Sequence, residues 1–91
     1  MTTNETKRIV KRSSQFKKDL RLAHKQGKDI ALLEQIIVML ANDESLSENY
    51  CDHALIGNWK GHRELHVSPD WLLVYRKTDK GALILLLAIY K

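Results

Sequence analysis

The run Ala-Leu-Ile-Leu-Leu-Leu-Ala-Ile-Tyr at residues 82 to 90 admits few environments. It has no polar position at odd or even spacing before Tyr90. As a strand it therefore needs cover on both faces, which only the middle of a sheet provides. These nine residues are too few to cross a bilayer as a helix, which takes about 20. Just before the run, Asp79-Lys80-Gly81 carries a turn signature. Further back, Trp71 to Lys77 is rich in strand formers, and Ser68-Pro69-Asp70 marks another turn. The last third of the chain thus reads as three strands, at 59–67, 71–77 and 82–90.

The first half has a different period. Phe16, Leu20 and Ala23 fall at helical spacing behind Ser13 and Ser14, either of which can cap a helix, and Gly27 is placed to end it in the left-handed conformation. Asp29 can cap a second helix with Leu33, Ile36, Ile37 and Leu40 as its buried stripe and Asn42 near its end. Residues 5–11 predict a short first strand, as an edge or adjacent strand, and residues 43–58 a loop. No repeat, linker or low-complexity stretch divides the chain, so residues 1–91 read as a single domain. The fold class expected is α+β, a small twisted antiparallel-rich sheet with two N-terminal helices packed on one face.

Charge is unevenly placed along the 91 residues. Residues 1–28 carry nine Lys and Arg against Glu5 and Asp19, residues 29–52 carry six acids and no base, and residues 53–91 carry six bases and three acids. A basic start and end around an acidic middle suit a protein with one face for polyanions. The lone Cys51 forms no internal disulfide and fits a reducing compartment. With no signal-like start and no membrane span expected, the reading is a soluble cytoplasmic protein.

The segment His62-Arg-Glu-Leu-His66 invites comparison with the zinc-protease signature, but its glutamate stands one position late for H-E-x-x-H. On a strand, residues four apart lie about 13 Å from each other, too far to share one ion. No metal is expected here. Strand alternation puts Lys60, His62, Glu64 and His66 on one face and Arg63, Leu65 and Val67 on the other, with Leu65 and Val67 toward the helices. Taken alone, that leaves a histidine-bearing open face as either a solvated sheet surface or a binding site.

The motif Asp52-His53, Leu55, Gly57, Trp59-Lys60, Arg63-Glu64, His66-Val67, Pro69-Asp70-Trp71 and Tyr75 closely resembles, without gaps, the toxins of the RelE superfamily, in particular its YafQ-type branch. The first helix also fits that family, whose fold is a small twisted sheet with two helices on one face. The resemblance implies the toxin of a type II toxin–antitoxin system, an endoribonuclease that cuts mRNA in the ribosomal A site and needs no metal or cofactor. It also implies a cognate antitoxin protein as partner, with operator DNA bound only through the antitoxin complex.

The chemistry so implied is attack of a ribose 2′-hydroxyl on the adjacent phosphodiester, which needs a base, an acid and cations. On the motif match the catalytic candidates are His53, His66 and Asp70. Lys60, Arg63, Arg76 and Lys77 are candidates for phosphate, and Trp71 for stacking on a base, although tryptophans such as Trp59 and Trp71 more often pack in a core or at its rim. Strand parity also allows Arg63 to sit on the helix side. His62 matches no catalytic residue of the family, His24 reads as structural, and Tyr50 and Tyr75 as packing residues. After the last strand the family pattern continues with Arg-x-Gly-(Thr/Ser)-His and a terminal Leu-Phe. Here Leu87 stands for the arginine, Ile89 for the glycine and Lys91 at about the histidine. Tyr90 or Lys91 are the substitutes that other branches of the superfamily suggest. Three classes follow: an active ribosome-dependent nuclease, an attenuated toxin that mainly binds its antitoxin and takes part in operator repression, or an unrelated basic RNA-binding module.

Overall fold

Two capped helices and five strands make up residues 6–90, the part of the chain that the computed structural model describes. Ser13 Oγ accepts the Phe16 N–H at 2.9 Å and so opens α1 (Ser14–Lys25). Asp29 opens α2 (Ile30–Ala41) in the same way, through the Leu32 N–H at 3.0 Å. Helix α1 closes with Lys28 N–H on Ala23 O and Gly27 N–H on His24 O, with Gly27 at φ +75° as expected of it. Helix α2 closes with the same pair of bonds, but Asp43 occupies its left-handed position at φ 56°. Aspartate is one of the few side chains that visit this region. Its carboxylate is held there by Arg8 Nε at 2.8 Å and Lys77 Nζ at 2.7 Å.

The strands β1 (Ile9–Arg12), β2 (His53–Ala54), β3 (Arg63–Ser68), β4 (Trp71–Lys77) and β5 (Ala82–Tyr90) form one sheet in the order β1-β5-β4-β3-β2. Strand β1 runs parallel to β5, and every other neighbour is antiparallel. The run that demanded cover on both faces is indeed an inner strand, flanked by β1 and β4. One face of the sheet meets the helices: Phe16, Leu33, Ile36 and Leu40 pack against Leu65, Trp71, Leu73, Tyr75, Leu83 and Leu85. Each such side chain contributes roughly 1.5–3 kcal/mol by leaving water. Leu72 and Val74 alternate onto the opposite face and are nonetheless buried, at 2% and 4% exposure.

A bulge interrupts the β4–β5 ladder. Val74 pairs with Leu87 and Tyr75 with Leu85, which leaves Leu86 as an extra residue. Helix α1 bonds the backbone beside it, because Ser13 Oγ donates to Leu86 O at 2.7 Å and Asp19 accepts the Ala88 N–H at 3.0 Å. These two bonds fix the helix against β5.

Three boundaries differ from the sequence reading. The strand expected from residue 59 begins only at Arg63, because Gly57–Trp59 forms a 3-10 turn and Gly61 turns the chain at φ +91°. Lys60 and His62 therefore stand before the strand rather than on its open face. The expected loop at 43–58 contains a 3-10 turn, Glu48–Tyr50, and the two-residue strand β2. The first strand is Ile9–Arg12 rather than 5–11, and Glu5 lies outside the described residues. No described helix is long and apolar enough to cross a membrane.

Candidate active site

The register of β2 and β3 decides which histidines meet. His53 pairs with Glu64, and His66 follows Glu64 by two residues on the same face. His53 and His66 are thus diagonal neighbours across an antiparallel pair, about 7–8 Å apart at the backbone. Beside His66 lies a cavity of about 650 Å³ whose walls also include Tyr50, Cys51 and Pro69.

Each imidazole is oriented by its surroundings. His53 presents Nδ1 to Cys51 O at 2.7 Å and Nε2 to Glu64 Oε1 at 3.3 Å. Both ring nitrogens face acceptors, an arrangement that the doubly protonated ring satisfies with two donors. His66 has Nδ1 near Pro69 O at 3.4 Å, a longer contact at the β3–β4 turn. If that nitrogen carries the proton, Nε2 keeps its lone pair. Asp70 is exposed on the same turn, where its carboxylate accepts from Ser68 Oγ at 3.2 Å, and no hydrogen bond joins it to either histidine. His62 sits apart. Its Nδ1 lies 3.2 Å from Trp59 O, and its ring meets the Trp59 ring edge-on at 5.3 Å.

The reverse face of the same strands carries a second polar group. Tyr75 Oη donates to Asp52 Oδ1 at 2.7 Å, and Arg63 Nε donates to the same oxygen at 3.1 Å. Burial pushes the Tyr75 phenol well above its ordinary range, and the bond and charge of Asp52 push it the same way. For Arg63, burial works against the charged form. Its hydrogen bond to Tyr75 and the charge of Asp52 outweigh that, so its pKa is raised. Nothing local in the sequence announces this group, because its members are 11 and 23 residues apart. Asp52 was visible as part of the motif, and Tyr75 only as a packing residue.

The candidates for RNA fall into three groups. Lys60 and Arg76 are exposed. Arg63 is drawn to Asp52 on the helix side of the sheet, the alternative that strand parity allowed. The ammonium of Lys77 is held by Asp43, which engages its charge within the fold. Trp71 requires a correction. It is 1% exposed and packs in the core with Leu73 and Tyr75, so its ring has no free face for a base. Leu87 and Ile89 lie on β5, opposite Val74 and Leu72 respectively, while Lys91 lies outside the described residues. Among the described residues, no group of three or more His, Cys, Asp or Glu could hold a metal ion.

Comparison with known proteins follows the same lines. Residues 8–89 match the model of the YafQ toxin family, described as the bacterial toxin of a type II toxin–antitoxin system. The chain is 45% identical over 74 residues to the mRNA interferase toxin YafQ of Escherichia coli strain K12, covering 80% of both chains. The crystal structure of YafQ from E. coli strain BL21(DE3) superposes with a TM-score of 0.85 at 39% identity, over 92% of this chain and 93% of that one. YafQ in the E. coli DinJ–YafQ complex does so with a TM-score of 0.83 at 39% identity, over 91% and 92%.

Proposed function

Since the chain belongs to the YafQ family of type II toxins, we propose that it is an mRNA interferase, an endoribonuclease that acts on mRNA in the ribosomal A site. The observation that carries this reading is the diagonal placement of His53 and His66 on one face of β2 and β3. Two imidazoles at that spacing can serve both ends of one phosphodiester. His66 Nε2 takes the proton of the ribose 2′-hydroxyl, whose oxygen attacks the phosphorus. His53 gives the proton on Nε2 to the departing 5′-oxygen, which takes the place of Glu64 Oε1 opposite that nitrogen, while Nδ1 stays on Cys51 O. The products are a 2′,3′-cyclic phosphate and a 5′-hydroxyl. Lys60 and Arg76 are the cations exposed for phosphate, and Asp70 lies on the turn behind His66, where it can polarise the site. No metal or cofactor enters this scheme.

The partner proposed is a cognate antitoxin protein, by analogy with the DinJ–YafQ complex. Operator DNA is reached only through that complex, and the working place is the cytoplasm, where ribosomes are.

A second reading is favoured by β5. Leu87 and Ile89 are apolar where the family motif calls for arginine and glycine, so β5 carries no counterpart of that arginine. An attenuated toxin that binds its antitoxin and represses its operon, with little cleavage, fits that observation. One assay separates the two. Ribosomes programmed with a defined mRNA are mixed with the protein, and cut sites are mapped by primer extension. The nuclease reading expects cuts that need translation and that fall about 10²- to 10⁴-fold in His66→Ala. No cuts from a folded protein that still binds the product of the neighbouring gene would leave the attenuated toxin. Absence of both would refute the assignment.

A further inference from the structure

We propose that Asp52, Tyr75 and Arg63 are positioning residues that hold His53 in place from the reverse face of the sheet. The proposal rests on the ribonuclease reading above and adds three residues to it.

The segment that carries His53 is weakly built. Strand β2 is two residues long, the outermost strand of the sheet, and exposed at both positions. Cys51, just before Asp52, adopts the left-handed conformation at φ 50° and is also exposed. Two paired residues supply too few backbone bonds to hold an edge strand in one geometry. A catalytic imidazole on such a strand needs an anchor elsewhere.

Asp52 is that anchor. It directly precedes His53, so alternation turns its side chain to the other face. There its Oδ1 accepts two donors, Tyr75 Oη at 2.7 Å and Arg63 Nε at 3.1 Å. Both donors stand on firm ground. Tyr75 is 1% exposed in the middle of β4, and Arg63 is its cross-strand partner on β3. Arg63 also pairs through its backbone with Ala54, on the far side of His53. The residues before and after His53 are therefore both tied to the inner strands, one by a side chain and one by the ladder. Hydrogen bonds to an ionised carboxylate are roughly twice as strong as neutral ones. The raised pKa of Tyr75 keeps its proton on the oxygen, so it serves as a donor to Asp52 and not as an acid or base for substrate. The sheet separates all three side chains from the face that bears His53 and His66.

The test is a double-mutant comparison with Tyr75→Phe and His53→Ala. In an otherwise unchanged protein, Tyr75→Phe should lower kcat roughly 10- to 100-fold, the range expected when a reacting group is displaced by up to 1 Å. KM for the programmed ribosome should stay the same. In the His53→Ala background, Tyr75→Phe should cost less than about twofold, because the group it positions is gone. An equal fall in both backgrounds, or no fall in either, overturns the proposal. Asp52→Asn is the second variant, should Tyr75→Phe fail to fold. It retains an acceptor for Tyr75 and should give the same pattern at smaller size. The ring resonances of His53, followed by nuclear magnetic resonance in the free protein, supply a readout that needs no cleavage. They should move in folded Tyr75→Phe. Unmoved resonances overturn the positioning role, whereas moved resonances in a protein that never cuts RNA uphold it and sink only the nuclease reading.

Discussion

Replacing Trp71 by alanine separates a packing role from a nucleotide-binding role with one measurement. Trp71 is 1% exposed and belongs to the cluster that joins the sheet to both helices. Truncating a buried aromatic to alanine costs about 3–5 kcal/mol, part in lost burial and part in the cavity left behind. A domain of this size is stable by about 5–15 kcal/mol, so the loss is a large share of the total. Urea unfolding followed by circular dichroism should show the midpoint falling by at least about 1 M, given a slope of about 1–3 kcal/mol per molar. Trp71→Phe should lie much closer to the parent protein. The buried indole Nε1–H of Trp71 has no hydrogen-bond partner among the described residues. A phenyl ring also keeps most of the buried apolar volume, so the cavity left is far smaller than with alanine. An alanine variant with an unchanged midpoint and weakened binding to RNA would refute this account and return Trp71 to the surface.

Two further outcomes follow from contacts at the helix ends. The Asp43 carboxyl is lowered from 3.8 to about 2, first by its bond from Lys77 and then by that from Arg8. A carboxyl lowered on folding stabilises the protein above its unfolded value and loses that contribution as pH falls through its folded value. Acid titration should therefore show stability declining from pH 3.8 toward about 2. Asp43→Asn, which tolerates the same left-handed backbone, should flatten that part of the curve; an identical acid limb would refute the pairing. Ser13→Ala removes the cap of α1 and the bond to Leu86 O, and should cost about 1–2 kcal/mol, with faster amide exchange at Phe16. Unchanged exchange there would show that the cap does not hold the helix.

What the sequence disclosed depended on how local the cause was. Ser13 and Asp29 cap the helices they were expected to cap, and Gly27 ends α1, because capping involves residues within one turn. The alternation of Leu65 with Val67 put both toward the helices, since period two needs only a strand. The same alternation, carried back to Lys60 and His62, went wrong at Gly61, whose positive φ turns the chain before β3 begins. Strand β2 was hidden in a loop because two residues have no period. Its pairing, which sets His53 beside His66, is an outcome of tertiary structure. Trp71 shares its face with Leu73 and Tyr75, so period two already argued for the core. The group of Asp52, Arg63 and Tyr75 had no local trace at all.

The position of β5 in the sheet sets a timetable for the protein's birth. This strand, the last of the five in chain order, lies between β1, the first of them, and β4. Until residues 82–90 have emerged, β1 has no neighbour and β4 has an open edge. The helices can form early, for their caps are local, but α1 cannot dock, because Ser13 and Asp19 bond to β5 itself. Chains grow at about 5–20 residues per second, so a nascent molecule waits with its sheet incomplete for several seconds. The pairing of β1 with β5 slows folding further, since a long loop must close before it forms. A nascent molecule therefore completes its sheet, and with it the packing behind the histidine face, only once residues 82–90 are free to pair.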